Sequence, residues 1–140
     1  MKIQNVGVAG FLYHEGKVLV VRRAPHETMF AGYYELPGGG VEFGEEPDTA
    51  IVREFKEETN LDVEMIAPYM TFSYVTKNDT VHTVEVVYLV KLVGDINTLR
   101  LSDEHDDYRW ISQEEVDTLT ISPEVKRNIH EGFQKIQNAF

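Results

Sequence analysis

Apolar residues along the chain follow two different periods, and the first of them predicts strands. Residues 6–13 and 18–21 are rich in β-branched and apolar side chains, and the turn signal between them predicts a β-hairpin. Residues 67–76 form another run of this type. In residues 80–94 one set of alternating positions is almost wholly apolar and the other is mixed, which predicts a long strand. A last, short strand is predicted at residues 108–111.

A helical period occurs in the middle of the chain. Pro47 suits the first turn of a helix and Asn60 suits the left-handed position just past its end, so we predict a helix from about residue 47 to residue 59. At about 100° per residue, the apolar side chains of this segment share one arc. These side chains are Ile51, Val52 and Phe55.

The chain ends in a second predicted helix, for which Ser122 is the N-cap and Pro123 is the first residue. Its apolar side chains recur at the helical period and form a stripe suited to packing on a core. The stripe consists of Val125, Ile129, Phe133, Ile136 and Phe140.

Two stretches without a period separate the strands from the first helix. Residues 24–34 predict a loop of 11 residues, and loops of this length are more often functional than not. Residues 36–46 predict a second loop, in which Gly38, Gly39 and Gly40 allow backbone angles that are closed to other residues.

The first helix carries three glutamates on the arc beside its apolar side chains: Glu54, Glu57 and Glu58. Like charges three and four positions apart on a helix are neighbours, and each pair costs about 0.2–0.5 kcal/mol. A bound cation would cancel this repulsion. A solvated helix face is the ordinary interpretation of such a cluster taken alone, so position by itself leaves both interpretations open.

Composition and charge narrow the classes of partner. The 140 residues are sufficient for one domain, and 13 Lys and Arg against 24 Asp and Glu give a net charge of −11. This leaves little material for a basic face that could bind a nucleic-acid polymer, and a phosphate-bearing substrate would need divalent cations to approach. No apolar run approaches the ~20 residues that span a bilayer. The absence of cysteine excludes disulfides and zinc–thiolate sites, and with no signal-peptide pattern we expect a cytoplasmic protein.

The acidic residues follow a fixed spacing. Five residues separate Gly39 from Glu45, and seven more separate Glu45 from Arg53 and Glu54; Phe55, Lys56, Glu57, Glu58, Thr59, Asn60 and Leu61 complete the pattern. This spacing resembles the Nudix box, the signature of the Nudix hydrolases. The segments ELPGG before it and YRWIS after it also resemble that family, and the context VVRRAP…ELPGGGVE resembles its MutT-like branch. Two positions depart from the box: Phe55 replaces an aliphatic residue, and Asn60 replaces a glycine while keeping access to the left-handed conformation.

The resemblance implies an α/β (α+β) fold of the Nudix type, an α/β/α sandwich with a mixed β-sheet between helices, in a single domain over residues 1–140. It implies a hydrolase for nucleoside diphosphates linked to another moiety, dependent on Mg²⁺ or Mn²⁺. Hard divalent cations prefer oxygen ligands, which clustered carboxylates supply. Cations that bridge phosphate oxygens neutralise the charge that repels an attacking water.

The resemblance also implies roles for individual residues. The metal ligands would be Glu54, Glu57, Glu58, Glu104 and the backbone carbonyl of Gly38. The catalytic set would be Glu57, Glu58 and Glu104, with Glu45 and Arg53 orienting the cluster rather than reacting. The substrate contacts would be Arg23, Gly38, Gly39 and Tyr34, with a surface charge as the open alternative for Arg23 and a core side chain for Tyr34.

The general base is open among three carboxylates. Glu104 is the first choice, because its position before the YRWIS strand resembles that of an additional metal-binding or catalytic acid in relatives. Glu58 is the second. Glu85 is the third, since a carboxylate in the middle of a run of Val and Leu is unusual. The five histidines lack paired helical spacing, so we expect no histidine metal site.

Several functions stay open at this stage. The compact chain and its MutT-like context favour a nucleoside triphosphate as substrate, oxidised ones included, over ADP-ribose, nucleotide sugars and dinucleoside polyphosphates. A catalytically silent nucleotide sensor is the main rival from another class, although all four box glutamates and the arginine are present. A carboxylate-rich Ca²⁺ module lacks the EF-hand loop. Relatives are often dimers, so a homodimer is an open expectation.

Overall fold

A computed structural model describes residues 1–139 of the protein; Phe140, the last residue of the predicted stripe, lies outside the described residues. Within residues 1–139 there are seven strands, two α-helices and two short 3₁₀ helices. The strands are β1 (Ile3–His14), β2 (Lys17–Arg23), β3 (Tyr34–Glu35), β4 (Gly38–Gly40), β5 (Asp62–Thr76), β6 (Val81–Val93) and β7 (His105–Ile111). The α-helices are α1 (Pro47–Thr59) and α2 (Pro123–Ala139), and the 3₁₀ helices are Ile96–Thr98 and Gln113–Thr118.

The strands form one mixed sheet in the order β3-β2-β1-β6-β5, with β4 also paired to β1 and β7 also paired to β2. Strand β1 runs parallel to β6, from Ile3 opposite Val81 to Leu12 opposite Val90. The other pairings are antiparallel. Among the described residues, no helix combines the length and the apolar character that a membrane crossing requires.

Helices cover both faces of the sheet. Successive residues of a strand point to opposite sides, so the apolar residues of the central strand β1 need cover on each face. Leu12 packs on one face in a buried cluster that contains Ile51 and Phe55 of α1. Its neighbour Phe11 packs on the other face, where its ring meets that of Phe133 of α2 edge-on, with 5.1 Å between the ring centroids. The predicted α/β/α sandwich with a mixed central sheet is confirmed.

Helix α1 begins and ends where its sequence predicts. Pro47 lies in the first turn, and Asn60 follows the helix with a positive φ of 62° and donates its backbone N–H to the carbonyl of Lys56. Asparagine therefore does here what the glycine of the box would do. The start of α2 is also confirmed, since the N–H of Val125 donates to the hydroxyl of Ser122 across 3.4 Å.

The prediction of a loop at Gly38–Gly40 is wrong, because these residues form β4 and pair antiparallel with residues 7–9 of β1. Gly38 and Gly39 serve close approach rather than unusual backbone angles. A Cβ on Gly38 would overlap the carbonyl oxygen of Val8, and a Cβ on Gly39 would overlap the carboxylate of Glu54. The absence of side chains lets β4 lie between the central strand and the acidic arc of α1.

We predict that Gly38→Ala lowers the free energy of unfolding by about 2–3 kcal/mol, because the added methyl meets a backbone oxygen that cannot rotate away. Gly40→Ala is the matched control in the same strand, since no atom lies within 4 Å of a Cβ at that position. Chemical denaturation followed by circular dichroism measures both variants. Equal stability of the two would contradict the close-approach explanation.

Candidate active site

Arg53 is the centre of the contacts made by the acidic arc. Its guanidinium forks onto Glu45, with Nε 2.8 Å from Oε2 and Nη2 2.9 Å from Oε1. Nη1 donates to Glu54 across 3.0 Å and to Glu57 across 3.2 Å, and Nη2 also donates to the carbonyl of Gly40. One cation therefore joins α1, β4 and the loop between them.

Glu45 responds strongly to this arrangement. The Arg53 guanidinium, helped by the backbone N–H of Glu42, lowers the pKa of Glu45 to about 2. Its carboxylate also accepts that N–H across 3.0 Å, which fixes the loop before α1. Glu45 is thus ionised at neutral pH, and both of its carboxylate oxygens are engaged by Arg53.

Glu58 has a different environment from the other box glutamates. Its side chain is buried, and Oε1 accepts the backbone N–H of Gly38 across 2.9 Å. Burial raises the pKa of Glu58 well above its ordinary value, and the charges of Glu35 and Glu104 add to that increase. Burial also raises the pKa of Glu54, which interacts with Glu57 and Glu104 as well as with Arg53. The carboxylates around Glu54 and Glu58 therefore carry more negative charge than the single guanidinium of Arg53 neutralises.

The segment that carries Glu104 is fastened to the C-terminal end of α1. The backbone N–H of Arg100 donates to the carbonyl of Thr59, and that of Ser102 donates to the carbonyl of Glu58. These bonds use carbonyls that a helix end leaves free. The carbonyl of Glu104 in turn accepts the N–H of Ala24, so the segment also meets the end of β2.

As a result, Glu58, Glu104 and His105 lie together although 45 residues separate Glu58 from Glu104 along the chain. One ligand atom of each lies within 4.8 Å of the others, a spacing that suits a metal ion. Sequence reasoning predicted the two glutamates but missed His105, because the expectation that no histidine would join the site rested on helical spacing. Glu35, whose Oε2 lies 2.9 Å from Nε2 of His105, was missed as well.

Two adjoining cavities lie beside this group, and of its three residues Glu58 and Glu104 line the first. The first, of about 440 Å³, is lined by Glu35, Glu58, Glu85 and Glu104, by Arg23 and Tyr74, and by Gly38, Gly39 and Gly40. The second, of about 300 Å³, is mainly aromatic and is lined by Phe30, Tyr33, Tyr34, Phe72, Tyr74 and Val125, together with Glu35 and Glu85. Glu54 and Glu57 do not line either cavity in this structure, since both face Arg53.

Arg23 and Tyr34, which we predicted as substrate contacts, are already engaged by protein groups. The guanidinium of Arg23 donates to the carbonyl of Met29 and to Glu27, and thereby closes the loop 24–33. Tyr34 is almost fully buried, and its hydroxyl donates to Asp107 across 2.5 Å. Each residue nevertheless presents part of its surface to a cavity, Arg23 to the first and Tyr34 to the second.

Glu85 lies where the two cavities meet. Burial raises the pKa of Glu85 to about 7, the charge of Glu35 adds to the increase, and a hydrogen bond with Tyr74 opposes it. Its side-chain atoms would touch a Cβ at Gly7, so glycine at that position leaves room for it. A carboxyl group that titrates near neutrality is thus available at the junction.

We predict that Arg53→Gln raises the pKa of Glu45 from about 2 towards its ordinary value of 4.5, because Arg53 is the main cause of the depression. Carbon-13 NMR titration of the glutamate carboxyl groups measures it. Arg22→Gln is the control, since Arg22 pairs with Asp106 instead. Because the pKa of folded Glu45 lies below that of the unfolded chain, its contribution to stability is present above pH 4.5 and is lost as the pH falls towards 2. An unchanged Glu45 pKa in Arg53→Gln would contradict this account.

We predict a pH-dependent stability difference between the parent and Glu85→Gln in metal-free protein. The folded-state pKa of about 7 exceeds the unfolded value of 4.5, so the folded parent binds the extra proton and loses stability as the pH rises from 4.5 to 7. The variant lacks this loss. Its stability relative to the parent should therefore increase by about 2–3 kcal/mol between pH 4.5 and pH 8. Urea denaturation at both pH values tests this, and a constant difference would contradict it.

Known proteins that are similar to this chain belong to the family that the box indicates. The sequence model of the NUDIX domain matches residues 1–133. A MutT-like protein of Streptomyces ambofaciens is 36% identical, over 81% of this chain and 68% of that protein. The nucleoside triphosphatase NudI of Escherichia coli O139:H28 is 31% identical, over 81% of this chain and 85% of that protein. An ADP-ribose pyrophosphatase of Methanocaldococcus jannaschii is 33% identical, over 64% of this chain and 52% of that protein.

Solved structures carry the same fold. The crystal structure of a MutT protein from Methanosarcina mazei Go1 superposes with a TM-score of 0.80 at 25% identity, covering 97% of this chain and 96% of that one. Together with the match over nearly the whole sequence, this agreement extends well beyond the box itself. The chain therefore belongs to the NUDIX domain family, and its resemblance to the Nudix hydrolases and their MutT-like branch is confirmed.

Proposed function

We propose that this Nudix hydrolase cleaves a nucleoside triphosphate, oxidised ones included, to the nucleoside monophosphate and pyrophosphate with Mg²⁺ or Mn²⁺ bound. The observation that carries the proposal is the junction of the two cavities at Glu35, Tyr74 and Glu85, one cavity rich in carboxylates and the other aromatic. A substrate with a polyphosphate at one end and a flat apolar base at the other matches both. The similarity to a nucleoside triphosphatase and to a MutT-like protein supports this substrate class.

The residues of the first cavity fit a hard divalent cation. Glu58 is 4% exposed, and burial and neighbouring carboxylates raise its pKa. The negative charge of its ionised form is therefore poorly stabilised by the protein, and a bound cation would stabilise it. A carboxylate oxygen of Glu104 lies within 4.8 Å of one of Glu58, and Glu54 interacts with both Glu57 and Glu104. Carboxylate oxygens are the ligands that Mg²⁺ and Mn²⁺ prefer. When bound, such a cation neutralises phosphate oxygens and acidifies water.

Within this proposal the chain's own residues have separate tasks. Glu58, held by the N–H of Gly38, would be a fixed ligand of the cation, and Glu54 and Glu57, which contact Arg53, would be further ligands. Glu104 would ligate the cation through one carboxylate oxygen and, as the general base, would take the proton of the attacking water on the other. We prefer Glu104 to Glu58 because Glu104 is exposed beside the cavity, whereas Glu58 is buried and already bonded to the backbone.

Arg53 and Glu45 would hold the side chains of Glu54 and Glu57 in position. The two hydrogen bonds with Glu45 fix the orientation of the Arg53 guanidinium. The positions of Glu54 and Glu57, which contact the same guanidinium, are therefore also fixed. The carbonyl of Gly38 remains our proposed backbone ligand, since β4 carries it along the edge of the first cavity.

The second cavity supplies the site for the base. Phe30 and Tyr33 pack edge to face, with 5.9 Å between their centroids, at the rim of the loop 24–33. Phe72 and Tyr74 lie on the sheet side. Aromatic walls stabilise a stacked base by about 1–3 kcal/mol without requiring a particular sequence of donors and acceptors. Tyr34 contributes one edge of this cavity, and Arg23 faces the phosphate side.

A second candidate substrate is ADP-ribose or a nucleotide sugar. It is favoured by the similarity to an ADP-ribose pyrophosphatase, of which this chain spans about half the length. Such a substrate would use the same first cavity, because it has the same diphosphate bridge. The cytoplasmic location and the homodimer stay predictions.

Hydrolysis across a panel of nucleoside triphosphates, oxidised nucleotides, ADP-ribose and nucleotide sugars, with Mg²⁺ or with EDTA, tests the proposal. We expect a triphosphate to be the best substrate and EDTA to abolish turnover. Monophosphate and pyrophosphate are the expected products. A panel in which no compound is hydrolysed would refute the proposal.

Glu57→Gln and Glu104→Gln should each lower kcat by at least about 100-fold, because one removes a ligand and the other the base. Glu64→Gln, an exposed glutamate on β5, is the matched control and should retain parental activity. Nucleotide binding by calorimetry separates an enzyme from a silent sensor. Parental protein that binds nucleotide tightly and never turns it over would favour the sensor.

A further inference from the structure

His105 is the buried member of the site that the proposed chemistry does not use. Its side chain is 0% exposed at the start of β7. Nε2 lies 2.9 Å from Oε2 of Glu35, and Nδ1 is buried with no hydrogen-bond partner among the described residues. A buried polar atom without a partner is uncommon in folded proteins. The imidazole is therefore held through Nε2, while Nδ1 is buried without a partner among the described residues.

The imidazole of His105 lies beside the acidic cluster. A ring nitrogen of His105 and one carboxylate oxygen each of Glu58 and Glu104 lie within 4.8 Å of one another. Two ligand atoms bonded at about 2.1 Å to one ion can be at most about 4.2 Å apart. The spacing of the three groups therefore exceeds the span of a single ion by no more than about 0.6 Å.

The contact with Glu35 is the second half of a recurrent arrangement. A histidine that ligates a metal usually donates its other N–H to a carboxylate, which fixes the tautomer and the ring plane. With the proton on Nε2 and directed to Glu35, Nδ1 has a lone pair available for a cation. Glu35 belongs to β3 and His105 to β7, both of which pair with β2, so the sheet itself holds the two side chains together.

We infer that Nδ1 of His105 is a nitrogen ligand to a divalent cation shared with Glu58 and Glu104, and that Glu35 positions the ring. The inference rests on the proposed function, because it concerns the same cation site. It also predicts metal preference. Imidazole suits first-row transition cations, whereas Mg²⁺ prefers oxygen ligands alone. Mn²⁺ should therefore bind this protein more tightly than Mg²⁺.

Pulsed electron paramagnetic resonance of the Mn²⁺-loaded protein tests the ligand directly. We expect coupling of Mn²⁺ to a nitrogen nucleus, with frequencies that change when the protein is labelled with nitrogen-15 histidine. This measurement uses the parental chain, so it does not depend on whether a variant folds. Bound Mn²⁺ without histidine coupling would overturn the inference.

Variants then assign the coupling to one histidine. His105→Gln should abolish it, while His26→Gln, which changes an exposed histidine of the loop 24–33, should retain it. The ratio of the Mg²⁺ Kd to the Mn²⁺ Kd should fall about tenfold in His105→Gln, and Glu35→Gln should weaken Mn²⁺ binding about tenfold. Coupling that persists in folded His105→Gln would overturn the assignment.

The two proposals fail in different ways. Hydrolysis of a nucleotide with bound Mn²⁺ but no histidine coupling would remove His105 from the metal site and leave the proposed function intact. Absence of both saturable Mn²⁺ binding and hydrolysis would remove the cation site itself, and both proposals with it.

Discussion

The electrostatic balance around Arg53 is the constraint on which the rest of the site depends. A single guanidinium, always ionised and able to fork, contacts Glu45, Glu54 and Glu57 and the carbonyl of Gly40. It relieves part of the repulsion that the acidic arc of α1 creates. None of its contacts among the described residues is with Glu58, which faces Gly38, Glu104 and His105. The negative charge that Arg53 does not neutralise thus lies on one side of the helix, where we propose that a cation binds.

The arrangement of charges around Arg53 depends on the close approach of the β4 backbone to β1 and to the glutamates of α1. Strand β4 consists of glycine only, and Cβ atoms on Gly38 and Gly39 would overlap Val8 and Glu54. The acidic arc can therefore lie directly over β4, and the N–H of Gly38 can reach Glu58. On the other side, the carbonyls of Glu58 and Thr59 anchor the segment that brings Glu104 and His105 into position. The end of α1 thus organises the site through its backbone as well as its side chains.

The elements that local pattern decides were predicted well. Pro47, the apolar arc and Asn60 together set the limits of α1, because each acts within a turn or two of the helix. The hairpin of β1 and β2 and the start of α2 follow from equally local signals. Strand β4 was missed because three glycines carry no β signal, and their pairing partner lies about 30 residues away in β1.

The sequence by itself determined which chemistry is present: the number and spacing of the glutamates, the arginine among them, and the helix that sets them on one arc. Those features depend on distances of a few residues, which helical geometry fixes. Only the tertiary structure decided which carboxylates share a cavity, that Arg53 occupies Glu54 and Glu57 while leaving Glu58, and that His105 meets Glu35 from 70 residues away. Such contacts arise from the pairing of β3 and β7 with β2, and no local period specifies that pairing.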